Sequence, residues 1–127
     1  MGFTGSPSVA AASGFTLDVA NVEGAKQGLV FYGLSGRKAD PWAGGSTSFL
    51  CVKAPLQRMG AMNSGGAAGQ CNGALSIDWL AYLAANPSAL GAPFAAGATV
   101  NAQAWFRDPP APKTTNLSNA LEFFTAP

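Results

Sequence analysis

The chain has 127 residues and a formal net charge of +1, and 48% of it is hydrophobic while only 10% is charged, with 16 glycines and 9 prolines. That is one domain with enough apolar material for a core, which excludes general disorder. No basic cluster and no run of 18 apolar residues occurs, so nucleic-acid binding and membrane insertion are not expected.

Residues 1–13 (MGFTGSPSVAAAS) read as a lead-in or a frayed first edge. Phe15, Leu17 and Val19 then alternate with Thr16, Asp18 and Ala20, the period of a half-buried strand. Asn21 to Gln27 is a turn. Leu29 to Tyr32 is a continuous apolar run between Gly28 and Gly33, as expected of an interior strand covered on both faces. Leu34 to Ser46 reads as a long loop carrying Asp40 and an isolated Trp42. Phe49 to Val52 forms the next apolar run, which Pro55 bends or confines to an edge. Residues 60–73 are small and glycine-rich, and a Cys51–Cys71 disulfide is expected to anchor them. Leu75, Ile77 and Trp79 return to strand period, but DWLAYLAAN from Asp78 reads equally as a short helix ending before Pro87. Thr99 to Phe106 is a strand, with Val100, Ala102, Ala104 and Phe106 facing a core and Asn101, Gln103 and Trp105 opposite. Leu121 to Phe124 closes the series.

This spacing predicts an all-β fold, an antiparallel sandwich or jelly roll over residues 14–127, with at most one short helix near 78–86. An even pair of cysteines in a low-charge, turn-rich chain leans towards an oxidising, extracellular compartment. Met1-Gly2 leads straight into small and polar residues without a signal peptide, so the expectation is a mature exported fragment.

The chain has no histidine. Histidine-based acid–base catalysis, Ser-His-Asp systems and most catalytic zinc or copper sites are therefore not expected, and the chain reads as a non-enzyme. Six carboxylates (Asp18, Glu23, Asp40, Asp78, Asp108 and Glu122) are scattered along it. A small carboxylate-dependent hydrolase would need two of them brought together by the fold. No cofactor is expected; a structural calcium ion would draw on Asp40 and Asp108, though no calcium-loop pattern supports them.

Aromatic residues make the stronger binding argument, because exposed indoles stack on sugars and other flat ligands. Trp42 and Trp105 are the candidates, with Gln103 and Tyr32 completing the set. Trp42 can instead close the sandwich end as a lid, and Trp105 can belong to a second buried face. Arg107 and Asp108 read as structural: the guanidinium along the Trp105 face, the carboxylate capping an Asx-type turn.

The stretch Asn101-Ala102-Gln103-Ala104-Trp105-Phe106-Arg107-Asp108-Pro109, followed by Asn116-Leu117-Ser118-Asn119, resembles a C-terminal module of large secreted proteins from environmental bacteria. Gly28–Gly33, Phe49-Leu50-Cys51 and Gly69–Gly73 fit the same pattern, so the resemblance runs from about Phe15 onward. It implies secretion and a β fold but no catalytic residues, since the module has no established activity. Its members often end in Cys-Pro where this chain has Ala126-Pro127, which leaves the module's full disulfide set unsupported here. The expected role is attachment or assembly with other protein modules. The alternative is a carbohydrate-binding module that uses the tryptophans on a polysaccharide surface.

Overall fold

The computed structural model describes all residues, 1–127, as eleven strands and one helix. Strands β1 (Gly2–Gly5), β2 (Phe15–Val22) and β8 (Gly73–Asp78) form a three-stranded antiparallel sheet in the order β1-β2-β8. A six-stranded sheet has β3 (Gln27–Gly33) and β9 (Thr99–Arg107) at its centre. Around them pair β6 (Leu56–Arg58), β7 (Met62–Asn63), β10 (Thr115–Leu117) and β11 (Leu121–Phe124). A separate hairpin of β4 (Arg37–Pro41) and β5 (Phe49–Val52) completes the strands, and helix α1 (Trp79–Ala85) follows β8 directly. The architecture is the all-β sandwich expected from strand spacing, and α1 is its short helix.

Alternation decides the layers. On β2, Phe15, Leu17 and Val19 are buried, and register with β8 sets Val19 opposite Leu75 and Leu17 opposite Ile77. On the larger sheet, Val30 pairs with Ala104 and Tyr32 with Ala102. These side chains, with Val100, Phe123 and Trp79, make the main core between the two sheets. The pairing of a bulky residue with a fully buried alanine in each row leaves room for Trp79. Its indole meets Phe15, Tyr32, Phe94 and Phe123 edge-on, with centroids 4.9–6.3 Å away. Such tilted and edge-to-face pairs suit the aromatic quadrupole.

The odd-numbered residues of β3 face the other way. Phe31, Val52 and Leu117 are buried in a second, smaller core, with Leu29, Leu50, Trp42 and Trp105 packed against it. The apolar run of β3 therefore serves two cores, as its lack of alternation suggested. Its flanking glycines mark close approach on each side. A Cβ on Gly28 would lie 2.6 Å from a Leu75 methyl, and one on Gly33 2.8 Å from a Val52 methyl.

Asp78 explains why the ambiguous stretch is helical. Its carboxylate accepts from the Ala81 N–H at 3.0 Å as the N-cap, and from the Gly14 N–H at 2.7 Å, which ties the helix start to β2. Burial works to raise its pKa, but backbone N–H groups of Gly14, Ala81, Phe15 and Leu80 outweigh that and hold it below the usual carboxylate value. The helix ends at Asn86, one residue before Pro87.

Three expectations change. The segment read as a lead-in contributes β1, paired with β2 from Gly2↔Asp18 to Gly5↔Phe15, and Ser8 bridges Ala126. Part of the long loop after Leu34 is strand β4, whose polar sequence carries no period because its outer side faces solvent. The Cys51–Cys71 disulfide is absent and both thiols are free. Cys51 lies on β5 in the hairpin layer, whereas Cys71 lies in the loop entering β8 of the three-stranded layer, with the larger sheet between. Packed sheets stand about 10 Å apart, beyond the roughly 7 Å Cα limit of a disulfide.

Hydrogen bonds anchor the glycine-rich segment instead. The buried Glu23 carboxylate accepts from the Gly69 N–H at 2.6 Å, and Ser64 Oγ donates to the Glu23 carbonyl at 2.7 Å. Gly24 and Ala25 donate to Gln70 and Gly65, so the β2–β3 turn holds the loop along its length.

Candidate functional site

The outward residues of the six-stranded sheet fall into rows set by register. Arg58 of β6 pairs with Phe31, which pairs with Gln103; Leu29 pairs with Trp105, which pairs with Leu117. The β4–β5 hairpin roofs part of this face. Between roof and sheet lies a cleft of about 380 Å³, lined by Leu29, Phe31, Trp42, Leu50, Leu56, Arg58, Trp105 and Leu117. Its volume falls within the range of small-molecule sites. Arg58 is its one charged residue.

The roof is held by side chains. Gln103 is fully buried, and its carboxamide accepts from the Cys51 N–H at 3.0 Å while donating to the Phe49 carbonyl at 2.7 Å. It also donates to the Ser118 carbonyl at 2.6 Å. The amide thus fills the place that a neighbouring strand's peptide group would take beside Leu50. At the other end, Glu122 accepts from Asn101 at 2.9 Å and pairs with Arg37 of β4 at 3.4 Å.

Trp42, just past β4, is fixed by its indole N–H, which donates to Thr115 Oγ1 at 3.0 Å. The Lys113 ammonium sits 3.9 Å from its ring centroid, a cation–π contact covering one face. Trp105 comes from the sheet itself and packs beside the second core. Trp42 and Trp105, far apart in sequence, are thus brought to one cleft. Both are half-buried, so they form neither a flat exposed strip nor a sealed core.

The other proposed site residues are placed differently. Gln103 and Tyr32 were expected among the ligand contacts, but both are fully buried. Gln103 holds the roof. Tyr32 lies on the opposite face, its hydroxyl donating to the Leu90 carbonyl at 2.7 Å, and burial raises its pKa, with Tyr82 adding to the shift. Asp40 pairs with Lys38 at 2.7 Å, and Asp108 accepts from the Asn116 amide at 3.1 Å. Neither belongs to a group of three or more Cys, Asp or Glu side chains that could share a metal ion.

Arg107 and Asp108 depart from the roles assigned to them. The Arg107 side chain is exposed and makes no hydrogen bond or ion pair. Asp108 closes that turn through its backbone, donating to Thr114 and accepting from Ala111, while its carboxylate takes the Asn116 side chain rather than a backbone N–H.

Arg58, Leu29, Phe31, Leu50, Leu56 and Leu117 were missed as cleft residues. The unbroken run of β3 signalled that Leu29 and Phe31 face a second packing surface; nothing local signals Arg58. A second hollow, larger at about 530 Å³ but more open, lies between residues 9–12, α1 and Phe94. The Trp79 indole N–H beside it is buried without a hydrogen-bond partner.

No known protein family, curated protein or solved structure matches this chain.

Proposed function

We propose that this chain is a non-catalytic extracellular accessory module of a secreted bacterial protein, which works by holding a ligand in the Trp42–Trp105 cleft. The observation that carries this reading is the convergence of two half-buried indoles from separate segments on one apolar concavity. Apolar surface left open in a preformed cleft favours a ligand that removes it from water.

The non-catalytic part is supported by where the carboxylates are spent. Glu23 holds a loop, Asp40 pairs with Lys38, and Asp78 caps α1. Asp108 takes Asn116, and Glu122 takes Asn101 and Arg37. Asp18 lies on β2 opposite Gly2, in the other sheet. No two are free to share a cleft as acid and base. The extracellular part rests on low charge, glycine-rich composition and the resemblance to secreted bacterial modules.

Fluorescence provides the test, because Trp79 is fully buried and Trp42 and Trp105 are not. A panel of soluble apolar compounds, oligosaccharides and peptides, with insoluble cellulose, chitin and xylan as pull-down arms, is screened against wild type and Trp105→Leu. Saturable spectral shifts or retention that Trp105→Leu removes are expected. Binding to no member, or binding unaltered in that variant, overturns the cleft as the working surface.

A further inference from the structure

We infer that the Trp42–Trp105 cleft accepts a small apolar monocarboxylate, with the Arg58 guanidinium as its anion anchor. The inference deepens the binding-module reading by naming the ligand's chemistry.

The wall composition comes first. Seven of the eight lining residues are apolar and the eighth is Arg58. Apart from the Arg58 guanidinium and the Trp105 indole N–H, which have no partner, the polar side chains nearby are already engaged. The Gln103 amide makes three hydrogen bonds to backbone groups. The Trp42 N–H is taken by Thr115, and the Tyr32 hydroxyl lies in the other core. A sugar's many hydroxyls would lose their hydration with only the Arg58 and Trp105 donors to replace it, which disfavours binding. An aromatic or branched aliphatic body loses nothing and gains the burial of both indoles.

Arg58 supplies the second half. The cross-strand pairing Arg58↔Phe31 sets its side chain on the same face as the cleft. Its guanidinium has no carboxylate partner: the ion pairs of the molecule are Arg37–Glu122 and Lys38–Asp40. Only the Arg58 backbone carbonyl is engaged, by Tyr82 and Gln57. A planar cationic fork beside an apolar hollow complements a carboxylate carried on an apolar body, and the fork allows bidentate contact. The volume of about 380 Å³ suits a ligand of one ring and a short chain rather than a polymer.

The probes are 4-phenylbutyrate and its neutral analogue 4-phenylbutanamide, titrated at pH 7 and low salt with excitation selective for tryptophan. The acid is expected to bind saturably and about tenfold more tightly than the amide, a difference of about 1.4 kcal/mol. Arg58→Gln, on an exposed edge position, is expected to remove the preference for the acid, so that acid and amide bind with similar affinity, while circular dichroism checks that the fold is kept. Raising the salt concentration weakens the acid but not the amide. Equal affinities for acid and amide, or an Arg58→Gln variant that keeps the preference, overturns the anchor role. Absence of binding by both probes overturns this ligand class. The binding-module reading then stands or falls separately on the polysaccharide and peptide arms of the wider screen.

Discussion

Replacing Gln103 with leucine tests how the cleft acquires its roof. The side chain keeps its volume, but three backbone groups lose their partners: the Cys51 N–H and the carbonyls of Phe49 and Ser118. Phe49 is 44% exposed, and Cys51 is half-buried, so water recovers part of each loss. At about 1 kcal/mol for each bond, the variant is expected to lose roughly 3 kcal/mol. Urea unfolding followed by circular dichroism measures the total. Thiol labelling locates it, since Cys51 rides on the hairpin while exposed Cys71 serves as an internal reference. Cys51 labelling should accelerate and Cys71 labelling should not.

The Gln103→Glu variant adds a pH dependence. Burial beside two carbonyl oxygens raises the introduced carboxyl's folded pKa above its unfolded value of about 4.3. The folded state then holds the proton more tightly, so the stabilising contribution is complete below that unfolded value and is lost as pH rises through the folded pKa. Relative to wild type, Gln103→Glu should become progressively less stable from pH 4 to pH 7. An unchanged urea midpoint for Gln103→Leu, or a pH-independent difference for Gln103→Glu, would refute the account of Gln103 as the hairpin's clasp.

Asp78→Ala should cost about 1–2 kcal/mol in thermal or urea unfolding through loss of the helix cap. Because the folded pKa of Asp78 is depressed, its contribution is present above the unfolded value and disappears as pH falls through the folded one; that acid-side dependence should vanish in Asp78→Asn. Ala104→Leu should destabilise by roughly 1–3 kcal/mol, since Ala104 is fully buried opposite Val30 and the inserted methylenes have no space; a neutral melting temperature would contradict the assigned strand face. Protein folded without reductant should show two alkylatable thiols by mass spectrometry, Cys71 reacting faster than Cys51; an intramolecular disulfide would require the layers to be rearranged.

Period and interruption in the chain are enough to establish the sandwich. Phe15, Leu17 and Val19 at period two, the apolar run of β3 between its glycines, and Val100, Ala102 and Ala104 alternating along β9 each specify a face, because successive strand side chains point to opposite sides. Asp78 and Pro87 likewise bracket the helix through local chemistry. What the sequence by itself could not decide is which faces meet. Strand alternation distinguishes two sides of β9 but does not say that the polar side will be covered, so Gln103 looked like a ligand contact when it is the peg on which a hairpin hangs. The same limit hid β4, a polar strand stabilised by its partner, and made the two cysteines look bridgeable when a whole sheet separates them. Arg58 entered the site only through its pairing with Phe31, and Trp42 met Trp105 only because the hairpin folds over the sheet. Local sequence encodes the direction of each side chain; the layer opposite it depends on long-range pairing, which arises only when the whole chain packs.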